Sequence, residues 1–94
     1  MDKTISFSNK VTAPDSVLIR ELEGEAVLLN LDNGSYFGLD EVGTRMWAVL
    51  TTSPSIAAAH AALLEEYDVA PDQLASDLRV WIGQLVDNGL LILT

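Results

Sequence analysis

The pair Asn33-Gly34 lies between two runs that mix apolar and polar residues, and it constrains the chain more than any other feature. Asn-Gly readily takes φ > 0 at both central positions of a type I′ turn, so it predicts a tight hairpin in which Leu31 faces Tyr36 and Leu29 faces Gly38. Side chains alternate along a strand. One face then carries Val27, Leu29, Leu31 and Tyr36, and the other Leu28, Asn30, Phe37 and Leu39. Both faces are partly apolar: one can cover a core, and the other needs a second helix or a partner. Asp40 follows at once and is placed to cap a helix, so residues 24 to 50 read as strand, turn, strand and helix.

With 94 residues, the chain holds one domain around one efficient core. A hydrophobic share of 49% without long polar tracts argues for a folded chain. No apolar run approaches the roughly 18 to 20 residues of a membrane span, and the opening MDKTISFSNK lacks the apolar stretch of a secretory signal. These features predict a cytoplasmic protein. Cysteine is absent, which removes disulfides, thiolate nucleophiles and cysteine-ligated metal. Five Lys and Arg against fourteen Asp and Glu give a net charge of -9. A surface of that sign repels phosphate backbones and anionic lipid, so neither nucleic acid nor membrane is the expected partner. A basic or apolar segment of another protein fits better.

In chain order, Thr4 to Ser8 alternates like a strand, Pro14-Asp15 marks a turn, and Val17 to Leu22 predicts a further extended segment. Glu21, Glu23 and Glu25 read as a solvated edge or face. The first helix runs from Asp40 to about Thr52 with an apolar stripe of Val42, Met46, Trp47, Val49 and Leu50, in which Trp47 is read as a core anchor. Gly43 inside it implies close packing against the hairpin. The second helix starts with Ser53 as cap and Pro54 at its first position, or with Ser55 one turn later, and runs to about Tyr67. Glu65, Glu66 and Asp68 at its end are read as solvated charge. Pro71 opens a third helix to about Asn88, striped by Leu74, Leu78, Trp81, Ile82 and Leu85. Gly89 suits the left-handed position after it. Leu90 to Leu93 is a terminal strand or a packed extension. The order predicts an α+β, winged-helix-like domain: an N-terminal three-stranded antiparallel sheet packed on three helices.

The residues needed for catalysis are missing as a set. There is one histidine, His60, no Ser-His-Asp combination, no phosphate-binding glycine loop and no HExxH. Gly24, Gly34 and Gly38 do not open a helix after a strand. The expectation is a binding module, not an enzyme, with no cofactor and no metal.

The hairpin and its helix resemble the PqqD family, within the wider group of RiPP precursor-peptide recognition elements. The resemblance is carried by Gly24-Glu25-Ala26-Val27-Leu28-Leu29, by Gly34-Ser35-Tyr36-Phe37-Gly38-Leu39-Asp40, and by Val42-Gly43-Thr44-Arg45-Met46-Trp47. Asp77-Leu78, Trp81-Ile82, Leu85 and Gly89-Leu90-Leu91 continue it, so it covers roughly residues 14 to 93. It implies a non-catalytic domain that binds the leader segment of a ribosomally made precursor peptide and presents it to a modifying enzyme or leader protease. In that family the leader adds as a further strand beside the third strand and against the third helix. Carried over, Ser35, Tyr36, Phe37, Gly38 and Leu39 belong to the strand that supplies backbone hydrogen bonds. Tyr36, Phe37 or Leu39 lines pockets, according to which face turns toward the third helix. Leu74, Asp77, Leu78, Trp81, Gln84 and Leu85 form the opposite wall. Leu78, Ile82 and Leu85 also read as core. Asp77 is suited to a Lys or Arg of the leader, and Trp81 to an aliphatic side chain.

The resemblance further implies a discrete carrier. Leu28 to Trp47 looks like members from lasso-peptide clusters, with a quinone-cofactor or other radical-SAM pathway as the alternative. Two other classes compete. A winged-helix DNA-binding protein needs several basic residues on its reading helix, whereas the third helix offers Arg79 against Asp72, Asp77 and Asp87. A regulatory or structural subunit would bind a folded protein through the same edge, and such an edge also permits a homodimer.

Overall fold

A computed structural model describes residues 5–94. Val11–Thr12 (β1), Val17–Leu22 (β2), Glu25–Asn30 (β3) and Tyr36–Leu39 (β4) precede helices Glu41–Thr52 (α1), Ile56–Glu66 (α2) and Pro71–Asp87 (α3), and Ile92–Leu93 (β5) follows. β2, β3 and β4 form an antiparallel sheet in that order, which is the three strands and three helices expected of an α+β, winged-helix-like chain. A second ladder was not expected: β1 pairs with β5, Val11 opposite Leu93. Thr4 lies outside the described residues. Ser6 to Asn9 form a turn closed by Asn9 N–H to Ser6 O (2.9 Å) instead of a strand.

The tight turn is one hairpin earlier than expected. Glu23 and Gly24 carry φ of 55° and 84° between the paired residues Leu22 and Glu25, the positive values at both central positions that a type I′ turn requires. Glu23 is therefore a turn residue, not part of a charged edge. β3 and β4 are joined by a longer loop, so Leu29 faces Tyr36 and Val27 faces Gly38. The physical reason is local. Asn33 Oδ1 accepts from the Ser35 N–H (2.8 Å) and Asn30 Oδ1 from the Asp32 N–H (2.8 Å). These side-chain turns hold the loop open and leave only Gly34 in the left-handed region, with φ 74°. Because the register moves by two residues, both faces keep the membership expected of them. Ala26, Leu28 and Leu39 point into the core, with Phe37 half-buried, while Val27 and Tyr36 point to solvent.

The helices begin where their caps dictate. Asp40 accepts the Gly43 N–H at 2.7 Å, and Ser55, not Ser53, caps α2 by accepting from Ala58. Gly43 is buried, and a Cβ on it would lie 3.5 Å from Leu39 side-chain atoms, which is the close approach of α1 to β4. Trp47, Val49 and Leu50 join Ile56, Ala59, Leu63, Leu78, Ile82 and Leu85 in one core. α3 closes with Gly89 at φ 72°, Gly89 N–H bonded to Val86 O and Leu90 N–H to Leu85 O, the paired bonds that satisfy the last carbonyls of a helix.

Asn30 is the buried polar residue of this core, at 5% exposure. Its Nδ2 donates to Gly89 O at 2.6 Å and so ties the end of β3 to the end of α3. A Cβ on residue 89 would come within 2.8 Å of that nitrogen, so glycine there serves both the backbone and the joint.

Candidate functional site

β4 is the edge of its sheet, with no strand beyond it among the described residues. Asn30 N–H donates to Ser35 O (2.8 Å). In an antiparallel pair the bonded positions recur every second residue. Phe37 and Leu39 therefore turn their backbone groups toward β3, and Tyr36 and Gly38 turn theirs outward. Two N–H and two C=O groups thus stand along this edge with no ladder partner.

At the start of β4, the preceding loop is fastened to the C-terminal end of α3 through Asn30 to Gly89 O and Asn33 Nδ2 to Asn88 O (3.5 Å). Beyond the other end of β4, Val42 and Met46 share a cavity with Leu74 and Asp77 of α3. Between these two ties β4 and α3 do not pack extensively on each other. At 100° per residue, Asp77, Trp81 and Gln84 share one flank of α3; Trp81 is half-buried and the other two are exposed. The N-terminal segment touches the opposite flank, where Arg79 is exposed. Phe7 lies under the Arg79 guanidinium at 4.6 Å and meets the His60 ring edge-on at 5.5 Å, and Ile5 approaches Gly83. His60 is further engaged with Pro71 O at 2.9 Å.

The eleven residues singled out from sequence divide into four groups. Tyr36 and Gly38 present the backbone edge, Tyr36 with its ring 76% exposed. Ser35 precedes the strand, and Phe37 and Leu39 face inward. Asp77, Trp81 and Gln84 make the accessible part of the second wall. Leu78 and Leu85 are 0% exposed and Leu74 7%, so these three back the wall as core side chains, and only Leu74 opens onto a cavity. The structure does not gather all eleven around one pocket. Gly38 and Leu39 line a separate depression of ≈ 410 Å³ with Arg20, Leu22 and Val27, toward the outer face of the sheet.

Sequence reasoning missed Val42, Met46 and Tyr67 as cavity residues, since their apolar spacing reads as core. It also took Glu66 for free charge. Glu66 Oε1 and Oε2 each accept from Arg45 at 2.8 Å, and this forked bond holds the Glu66 carboxyl below the usual carboxylate range and raises the Arg45 guanidinium. The signal available was weak, because 21 residues separate the pair. Among the described residues there is no group of three or more acidic or histidine side chains placed to hold a metal, and no helix is long and apolar enough to cross a membrane.

An open strand edge is a surface to which an extended polypeptide can add as a further strand. Comparison with known proteins gives the family. The family described as Coenzyme PQQ synthesis protein D (PqqD) matches residues 25–91, and the chain belongs to it as a non-catalytic peptide-binding domain. No curated protein matches. A solved structure described as TbiB1 in complex with the TbiA(beta) leader peptide is 35% identical, with a TM-score of 0.79, covering 85% of this chain and 93% of that one.

Proposed function

We propose that this domain binds the leader segment of a ribosomally synthesised precursor peptide by strand addition to β4 and delivers it, in the cytoplasm, to a separate modifying enzyme or leader protease. The observation that carries the reading is the outward-facing backbone of Tyr36 and Gly38 alongside the free Asp77–Trp81–Gln84 flank. Main-chain bonds to the edge supply affinity that any extended peptide shares, and side chains directed toward α3 supply selection. The match to a protein solved with its leader peptide supports it. Within this reading, the likeness of Leu28 to Trp47 to lasso-cluster members favours a lasso-peptide pathway over a radical-SAM one. The charge of -9 favours a leader with basic residues.

The test is an isotope-labelled NMR titration with the leader peptides encoded beside the gene. Shifts concentrated at residues 35–40 and 72–85 are expected, and the peptide that produces them identifies the pathway. Absence of shifts with every such peptide would overturn the reading in favour of a folded partner.

A further inference from the structure

Beyond the Asp40 end of β4, a cavity of ≈ 360 Å³ opens between α1, the segment after α2 and the N-terminal half of α3. Val42, Met46, Tyr67 and Leu74 give it apolar walls, and Asp68 and Asp77 are its charged lining residues. Both carboxylates belong to exposed residues. Asp77 Oδ1 accepts from Gln73 Nε2 at 2.8 Å, which leaves its second oxygen available. Among the described residues no basic side chain lines the cavity. Arg45, next to Met46 in the chain, is held in the forked bond to Glu66. The space is large enough for a leucine, methionine or phenylalanine side chain, and unbranched Met46 in its wall can adapt to the shape of a guest.

The position of the cavity matters as much as its lining. Val42 follows Leu39 by three residues, and Asp77 lies on the flank of α3 that carries Trp81 and Gln84. A peptide lying along β4 and continuing past Asp40 reaches this opening within a few residues, since an extended chain advances about 3.3 Å per residue.

We propose that this cavity is an anchor pocket for the leader, and that it selects a large apolar side chain flanked by a Lys or Arg whose cation lies against Asp68 and Asp77. The inference rests on β4 being the peptide-binding edge, and it adds the sequence class of the leader and the end of β4 at which the anchor sits. Apolar burial draws the side chain in. The two acids in the lining favour a basic neighbour over an acidic one by several-fold.

The test uses protein carrying ¹³C-methyl methionine and ¹⁵N amides, titrated with the leader peptide encoded beside the gene. Variants of that peptide replace each large apolar residue by Ala and each Lys or Arg by Gln. One apolar replacement is expected to lower affinity about tenfold or more and to remove the Met46 methyl shift while the amide shifts of residues 36–39 remain. Replacing the neighbouring cation by Gln is expected to cost about fivefold, and that loss disappears against the D68N/D77N protein, whose substitutions lie at exposed positions. A peptide that shifts the β4 amides but leaves the Met46 methyl unmoved overturns the anchor pocket and leaves strand addition standing. No shift at either place overturns both. A Met46 shift that follows protein concentration without peptide assigns the cavity to a second copy of the chain and overturns the proposal.

Discussion

Among the described residues the sheet has two free edges, and they differ in what stands next to them. Along β2 the backbone groups of Val17, Ile19 and Glu21 face outward, because Leu31 N–H bonds Ser16 O and so sets the alternation. That edge stands away from the helices: five of the six β2 residues are exposed, including both charged ones, Arg20 and Glu21. A strand added there would gain main-chain bonds and nothing to lie against. The β4 edge is shorter, four residues, but α1 packs against it, and the loop before it is tied to the C-terminal end of α3. An unpaired edge is thus common to both sides of the sheet, and under the proposed function it is the helical surroundings of β4 that favour that edge for a peptide. Charge on β2 also discourages stray pairing at the edge with no such control.

The strongest way to break this comparison is to remove a donor from each edge in turn. Gly38→Pro deletes an outward N–H of β4 and is expected to weaken leader binding by about 30- to 100-fold, whereas Glu21→Pro on β2 leaves affinity within about twofold. Isothermal titration of both variants decides it, and equal losses would show that the edges are equivalent. Trp81→Ala is expected to cost about 1 to 3 kcal/mol of binding free energy while the protein remains folded, because the ring stands half-buried on the same flank of α3 as Asp77 and Gln84. Unchanged affinity in a folded variant would remove the tryptophan from the site.

Asn30→Ala tests the tie between the loop before β4 and the end of α3. It leaves Gly89 O and the Asp32 N–H without their side-chain partner and is expected to lower unfolding stability by about 1 to 3 kcal/mol in urea titration. The smallest effect is expected at the exposed Arg45–Glu66 pair. The Glu66 pKa is lowered in the folded state, so its contribution is present above the ordinary carboxylate range and is lost as pH falls through the lowered value. Glu66→Gln should therefore reduce the melting temperature slightly at neutral pH and have no effect in strong acid, with the peptide affinity unaltered.

Much of this architecture is legible in the residues. Asp40 followed by an apolar stripe, Pro71 with Leu74, Leu78, Ile82 and Leu85, and Gly89 after Asn88 each signal helix boundaries through chemistry that acts within a few residues. The alternation through residues 26 to 39 signals the buried face even though the register differs by two positions, because a two-residue shift preserves side-chain parity. The position of the tight turn was not legible. Asn33-Gly34 has the composition of a type I′ turn, but the Asn33 and Asn30 side chains bond nearby N–H groups and favour a wider loop, while Glu23-Gly24 takes the two-residue turn under the pairing of β2 with β3. The edge strand of the site and its free helix flank were readable as pattern. The cavity was not, because it draws on three separate helical regions and its apolar members are indistinguishable from core by spacing.

The pairing of β1 with β5 has a consequence for how the domain is wired to anything else. Lys10 and Thr94 exchange backbone hydrogen bonds at 3.1 and 2.8 Å, so positions more than eighty residues apart in sequence share one corner of the molecule. From that corner residues 5–9 continue onto the helices, with Asn9 O accepting from the Ile56 N–H and Phe7 O from the Ala57 N–H. A tether after residue 94 would leave from that corner, whereas one before residue 5 would leave from the side of α3 where Ile5 and Phe7 lie, so swapping the order of domain and enzyme in a fusion would change the geometry of delivery.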